Sequence, residues 1–341
     1  MIAALRRVAG HLAFAGMCLV GGCHTAVAAE PVDPSLPGPH SVATQDAEWP
    51  DARRKRVLPV RIRVPKGEAG ALPVVLFSHG LGGSREGGSL WGEHWASHGY
   101  LVIHLQHPGS DESLWKAKQG DANAAMDSLR SGATPGQFTL RLEDVRFALD
   151  EIARRQAAGD PVLGRADLSR VGMSGHSFGS VTTLALVGQR FVRAGAGEPL
   201  LIEPRIRAAI AFSPNARQRA GDPATQFGSI RLPVLMLTGT RDGDVLGDGT
   251  TPEARTKPFE HMPPPGKVLA VFEGGDHGVF GGHDMRRAVT ARDREIRSDV
   301  KALTLAFWNA HLRNEPRSLT WLRDGGARSI LSKGDRYETK P

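Results

Sequence analysis

The hydrophobic pattern changes period repeatedly along the chain, and each change marks an element. Residues 57–64 alternate, with Val60, Ile62 and Val64 apolar against Arg61 and Arg63, which predicts a half-buried strand. Pro59 inside that run points to an edge position. Residues 72–77 are apolar without interruption, the pattern of a strand buried on both faces. Helical spacing follows over 86–98, with Leu90, Trp91, His94 and Trp95 on one face and Gly99 as its stop. The next apolar run is 100–105. Residues 108–137 lose the periodicity, and an insertion of that length predicts a lid or binding loop. Leu142, Val145, Leu149 and Ile152 then space a helix over 140–155. Strand candidates recur at 171–174, 206–212, 234–237 and 268–272, and Ile296, Val300, Leu303 and Phe307 set a closing helix over 291–312. Strands alternating with helices predict an α/β fold with a mostly parallel central sheet and helices on both faces.

The ends break this pattern. Arg6 and Arg7 precede an apolar stretch over 8–22, followed by the small residues Ala26, Ala28 and Ala29, the plan of a signal peptide over 1–29. The arginine pair also loosely resembles a twin-arginine signal. Leu19 to Cys23 offer a lipobox-like alternative, in which the signal ends before a lipidated Cys23. Membrane attachment is expected only in that case. Cys18 and Cys23 are the two cysteines of the chain, so cleavage after Ala28 or Ala29 leaves no disulfide. The expectation is an exported protein, periplasmic or secreted, with an envelope lipoprotein as the alternative. Residues 30–55 read as a leader rich in Pro, Ser and Ala, 56–315 as the catalytic domain, and 316–341 as a charged peripheral tail.

A formal charge of +7 raises the question of an anionic partner. The arginines are interleaved with acids, as Arg146 is with Asp144 and Asp150, and solvated helix faces account for them. The densest run, 53–56, carries no interleaved aromatic residue, so no nucleic-acid partner is expected.

The chemistry centres on Gly175, Ser177 and Gly179, which fit the G-x-S-x-G elbow between a strand and a helix. A strained turn exposes the serine, and small residues two positions to either side let strand and helix approach. Loops leaving the carboxyl ends of parallel strands gather at one rim. Two later loops there carry Asp242 and His277, giving the order Ser, Asp, His. In that arrangement Ser177 is the nucleophile, His277 the general base and acid, and Asp242 the residue that orients the imidazole. Asp244 and Asp276 are rivals for the acid, and His283 for the base. The backbone amides of Leu81, with Gly82 as alternative, and of Phe178 would form the oxyanion hole. His107, Asp111 and Trp115 are candidate pocket residues, while His79 and His176 read as structural neighbours. No cofactor is expected, and no cluster has zinc spacing.

Together 78–83 (Ser-His-Gly-Leu-Gly-Gly), 107–111 (His-Pro-Gly-Ser-Asp), 175–179, 239–242 and Asp276-His277 resemble dienelactone-hydrolase-like proteins. They also resemble serine esterases of the platelet-activating-factor acetylhydrolase type. The likeness spans about 57–312. It implies the α/β-hydrolase fold and cofactor-free hydrolysis of carboxylic esters, with a small-molecule or lipid-like ester as substrate. Dienelactone hydrolases carry cysteine where this chain has Ser177. A thioesterase, lipase or polyester hydrolase on the same triad, or a non-catalytic envelope binding module, are the competing expectations.

Overall fold

The computed structural model describes residues 33–191, 201–216, 221–247, 249–283 and 288–341. The signal expected over 1–29, with Cys23, lies outside the described residues. Strands β1 (Val42–Asp51), β2 (Arg56–Pro65), β3 (Leu72–Ser78), β4 (Leu101–Leu105), β5 (Ala166–His176), β6 (Ile206–Phe212), β7 (Val234–Arg241), β8 (Lys267–Asp276) and β9 (Arg336–Lys340) form one sheet. Its order is β1-β2-β4-β3-β5-β6-β7-β8-β9. Neighbours from β4 through β8 are parallel. The pairs β1–β2, β2–β4 and β8–β9 are antiparallel. This is the α/β-hydrolase fold, extended by one C-terminal strand.

The helices are α1 (Ser89–Ser97), α2 (Ser113–Lys116), α3 (Ala122–Gly132), α4 (Pro135–Ala157), α5 (Phe178–Leu186), α6 (Pro223–Phe227), α7 (Lys257–His261), α8 (Ala291–Leu312), α9 (Pro316–Arg323) and α10 (Gly326–Ile330). The uninterrupted apolar runs serve both faces of the sheet at once. In β3, Val74 and Leu76 pack towards α4 and α5, while Val75 and Phe77 pack towards α1 and α8. In β7, Val234 and Met236 face one side and Leu235 and Leu237 the other. Trp91 and Trp95 belong to the second core: Trp91 stacks on Phe212 at 5.8 Å and Trp95 donates to Thr304 Oγ1 at 2.9 Å.

Several expectations are revised. The leader assigned to 30–55 contains β1, whose Trp49 is fully buried. Because β1 covers it, β2 is an interior strand rather than an edge. The other positions on the Trp49 face of β1 are Ala43, the exposed Gln45, Ala47 and the buried Asp51, too small or polar to print an alternation. The tail over 316–341 is not peripheral: it folds as α9, α10 and β9, with Leu322 and Ala327 buried. Within 108–137 lie α2, α3 and the start of α4, the last capped by Thr134, whose Oγ1 accepts from the Gln137 N–H at 3.2 Å. The closing helix does span 291–312, started by a reciprocal cap between Thr290 and Asp293.

Candidate active site

Ser177 stands between the last residue of β5 and the first of α5 with φ 55° and ψ −114°. A side chain at such an angle is strained by about 1–3 kcal/mol, which the surrounding packing must sustain. Its N–H donates to the Phe212 carbonyl at 3.0 Å, tying the turn to β6. The flanking glycines are sterically required. A Cβ on Gly179 would lie 1.9 Å from the Ser78 carbonyl oxygen, and one on Gly175 would lie 2.3 Å from the Gly179 carbonyl oxygen.

Asp242 and His277 follow β7 and β8, and the pairing of Arg241 with Asp276 in these parallel strands sets the two residues side by side. His277 Nδ1 lies 2.7 Å from Asp242 Oδ1. A proton on Nδ1 makes that contact a hydrogen bond and leaves Nε2 as the basic nitrogen. Asp242 is fully buried. Its other oxygen, Oδ2, accepts from the Thr238 hydroxyl at 2.8 Å. Arg255 Nε donates to the Asp242 carbonyl at 2.6 Å and lies 2.7 Å from Oδ1. Burial raises the Asp242 pKa, but the bond and charge of His277 and the charge of Arg255 outweigh it, so the net shift is downward. The rival acids have other work. Asp244 accepts from the N–H groups of Leu246, Gly247 and Gly249, and Asp276 Oδ1 accepts from the Val279 N–H.

Ser177 and His277 open into one cleft of about 280 Å³, walled by Leu81, Trp115, Met126, Leu129, Val245 and Leu246. A smaller niche of about 30 Å³ adjoins it at Leu81 and Ser177 and is lined further by Phe178, Ser213, Asn215 and Arg255. In the loop after β3, the Gly82 N–H donates to the Ser110 carbonyl at 2.9 Å and the Gly83 N–H to the Gly80 carbonyl at 3.0 Å. Those bonds occupy the amide of Gly82, the alternative donor, and that of Gly83. Phe178 opens α5, where N–H groups point out of the helix start.

Of the candidate pocket residues, Trp115 lines the cleft, and its indole N–H donates to the Gly82 carbonyl at 2.7 Å. His107 and Asp111 do not line it. His107 is fully buried, and Asp111 accepts from Gln106 Nε2 at 2.8 Å and from the Ser113 hydroxyl at 2.6 Å, holding the turn after β4. His176 packs its ring 4.5 Å from that of His277, and its Nε2 lies 3.0 Å from the His277 carbonyl. His283 is exposed at the cleft rim. Sequence reasoning missed Arg255 as the partner of Asp242. It also missed the buried set Ser78, Arg141 and Asp144, and Asp144 had been read as part of a solvated face. Spacing offered one usable signal: Arg141 and Asp144 are three apart on α4, beside Leu142 and Val145 of its apolar stripe. Among the described residues no group of three or more His, Cys, Asp or Glu side chains could hold a metal ion.

The family described as platelet-activating factor acetylhydrolase, isoform II, matches residues 57–155. That segment runs from β2 to α4 and contains the loop after β3, but it ends before Ser177. The match supports an ester hydrolase, and it carries the second of the two resemblances. The sheet order gives the chain the α/β-hydrolase fold, and over residues 57–155 it is similar to esterases of the platelet-activating-factor acetylhydrolase type.

Proposed function

We propose that this protein is an exported serine esterase that cleaves carboxylic esters through an acyl-enzyme on Ser177. The observation that carries the reading is the 2.7 Å contact between His277 and a buried Asp242, facing the same cleft as a serine held at positive φ. Ser177 Oγ attacks the ester carbonyl as its proton passes to His277 Nε2. The Leu81 and Phe178 amides hold the oxyanion while the tetrahedral intermediate forms. His277 then gives the proton to the leaving alkoxide, and the Ser177 ester remains. Water attacks that ester with His277 again as base, and the intermediate collapses to the acid and free Ser177. Asp242 holds the Nδ1–H tautomer and balances the charge of the imidazolium.

The niche beside the two amides has room for about two water molecules, which suits an acyl chain of one or two carbons. This agrees with the acetyl group in the name of the matched family. The wider apolar cleft suits the alcohol portion of a lipid-like ester. Export rests on the N-terminal pattern, and mass measurement of the mature N-terminus tests it: cleavage after Ala28 or Ala29 is expected, whereas a lipidated Cys23 would replace secretion with membrane anchoring.

The activity is tested with p-nitrophenyl esters of increasing acyl length. Hydrolysis should be fastest for acetate and should fall by about tenfold or more by the octanoate. Ser177→Ala should abolish it with the fold intact by circular dichroism. Activity retained in Ser177→Ala would remove the mechanism, and a preference for long acyl chains would remove the assignment of the niche.

A further inference from the structure

A second serine–histidine–aspartate arrangement lies directly beneath the proposed oxyanion hole. Ser78 Oγ, at the end of β3, is 2.9 Å from His107 Nε2, and His107 Nδ1 is 3.0 Å from Asp144 Oδ2. All three side chains are fully buried. None lines the cleft or the niche, so this serine has no access to a substrate.

The donors run in one direction through the set. Asp144 also accepts from Arg56 Nε at 3.0 Å and Arg54 Nη1 at 2.8 Å. Burial raises its pKa, but the bond from His107 and the charge of Arg56 hold it down at about 2. It is therefore a carboxylate, and the His107 Nδ1–H donates to it. Burial and the charge of Arg141 lower the His107 pKa to about 4, so the ring is neutral and Nε2 accepts from the Ser78 hydroxyl. The Ser78 oxygen is then an acceptor, and Arg141 Nη2 donates to it at 3.1 Å.

Arg141 is where this chain meets the site. It is fully buried. Nη1 donates to Ser110 Oγ at 3.0 Å, and Nη2 also donates to the His79 carbonyl in a short bond. Ser110 accepts the Gly82 N–H with its carbonyl. The guanidinium carbon sits 4.6 Å from the centroid of the Phe178 ring. One side chain thus touches the carbonyl two residues before Leu81, the residue that receives Gly82, and the ring of Phe178.

We infer that Arg141 is a positioning residue that fixes the two oxyanion amides relative to each other, with the Ser78–His107–Asp144 set holding its guanidinium in place. This rests on the reading of Leu81 and Phe178 as the oxyanion donors. Amides held by a rigid fork need no reorganisation when charge develops on the substrate, and an ångström of misplacement costs about a hundredfold in rate. The loss should therefore fall on the transition state and spare ground-state binding.

Arg141→Lys keeps the charge but cannot bond the His79 carbonyl, Ser78 and Ser110 together. With p-nitrophenyl acetate, kcat should fall about 10- to 100-fold while KM stays within about threefold. Affinity for a trifluoromethyl ketone, which forms a tetrahedral adduct on Ser177, should fall by the same factor as kcat/KM. Ser78→Ala leaves the Arg141–His79 bond in place and should show a smaller loss in the same two readouts. A folded Arg141→Lys with kcat and ketone affinity unchanged would overturn the inference, as would a loss confined to KM or to Tm. If Arg141→Lys does not fold, Ser78→Ala and Ser110→Ala decide by the same readouts: a parallel drop in kcat and ketone affinity supports the inference, and its absence in both overturns it. Ser177→Ala run alongside separates the two failures. Activity surviving there removes the proposed mechanism on which this inference rests, whereas activity lost there with Arg141→Lys unimpaired leaves the mechanism standing and overturns the inference.

Discussion

Asp242 is shared between a histidine and an arginine, both within 2.7 Å of its Oδ1. The arginine secures the ionised carboxylate, and the histidine needs that charge to become an imidazolium in passing. Asp242→Asn would keep the shape and offer Arg255 and His277 an amide, which favours the wrong imidazole tautomer. The expected outcome is a fall in kcat of about 10³- to 10⁴-fold with little change in the far-ultraviolet spectrum, measured by steady-state kinetics. A fall under tenfold would mean that His277 does not depend on Asp242 for its orientation. Ser177, Asp242 and His277 were legible in the sequence because each follows a strand and sits among the glycines that sharp turns need. Arg255 and Arg141 were not. A buried arginine looks the same in one dimension as a solvated one, and only the carbonyls it meets in the fold distinguish them: Ser213, Gly243 and Asp242 for Arg255, and His79 for Arg141.

The elements that sequence periodicity exposed are those buried on two faces. β3, β4, β6, β7 and β8 announce themselves through runs of Val, Leu and Ile, and α8 through its stripe and cap. β1 and β9 are edges. They contribute backbone hydrogen bonds more than apolar side chains, and β9 reads Arg-Tyr-Glu-Thr-Lys. Its value is local: it pairs five residues of β8, the strand that leads to His277. Asp335, just before it, accepts from the Glu273 N–H at 2.8 Å. Removing residues 333–341 would leave the outer edge of β8 unpaired. Such a truncation should lower Tm by at least about 5 °C and make light scattering rise with concentration. Unchanged melting would mean that β8 is held by β7 alone.

At the scale of the whole molecule, burial governs the response to acid. Burial is the leading cause that keeps His79, His104 and His176 well below their ordinary range, His94 at about 3, and His107 and His311 at about 4. In the unfolded chain each titrates near 6.5. The folded values are depressed, so the unfolded state binds more protons below about pH 6.5, and stability is full above that value and lost as the pH falls towards 4. Each group adds up to about 1.4 kcal/mol per pH unit in that window. Urea midpoints should therefore drop steeply between about pH 6.5 and 4.5, with net proton uptake on unfolding. A flat midpoint there would show that these histidines carry charge in the fold. The cleft behaves differently from this rigid interior. Two of its walls come from α3 and from the loop after β7, segments more than a hundred residues apart in sequence, and Arg130 joins them through the Leu246 carbonyl at 2.9 Å. Neither wall supplies a strand to the sheet, and Val245 and Leu246 lie just past Asp242 in the same loop. Mutational drift in Met126, Leu129, Val245 or Leu246 can accordingly reshape what fits the cleft without replacing Ser177, Asp242 or His277.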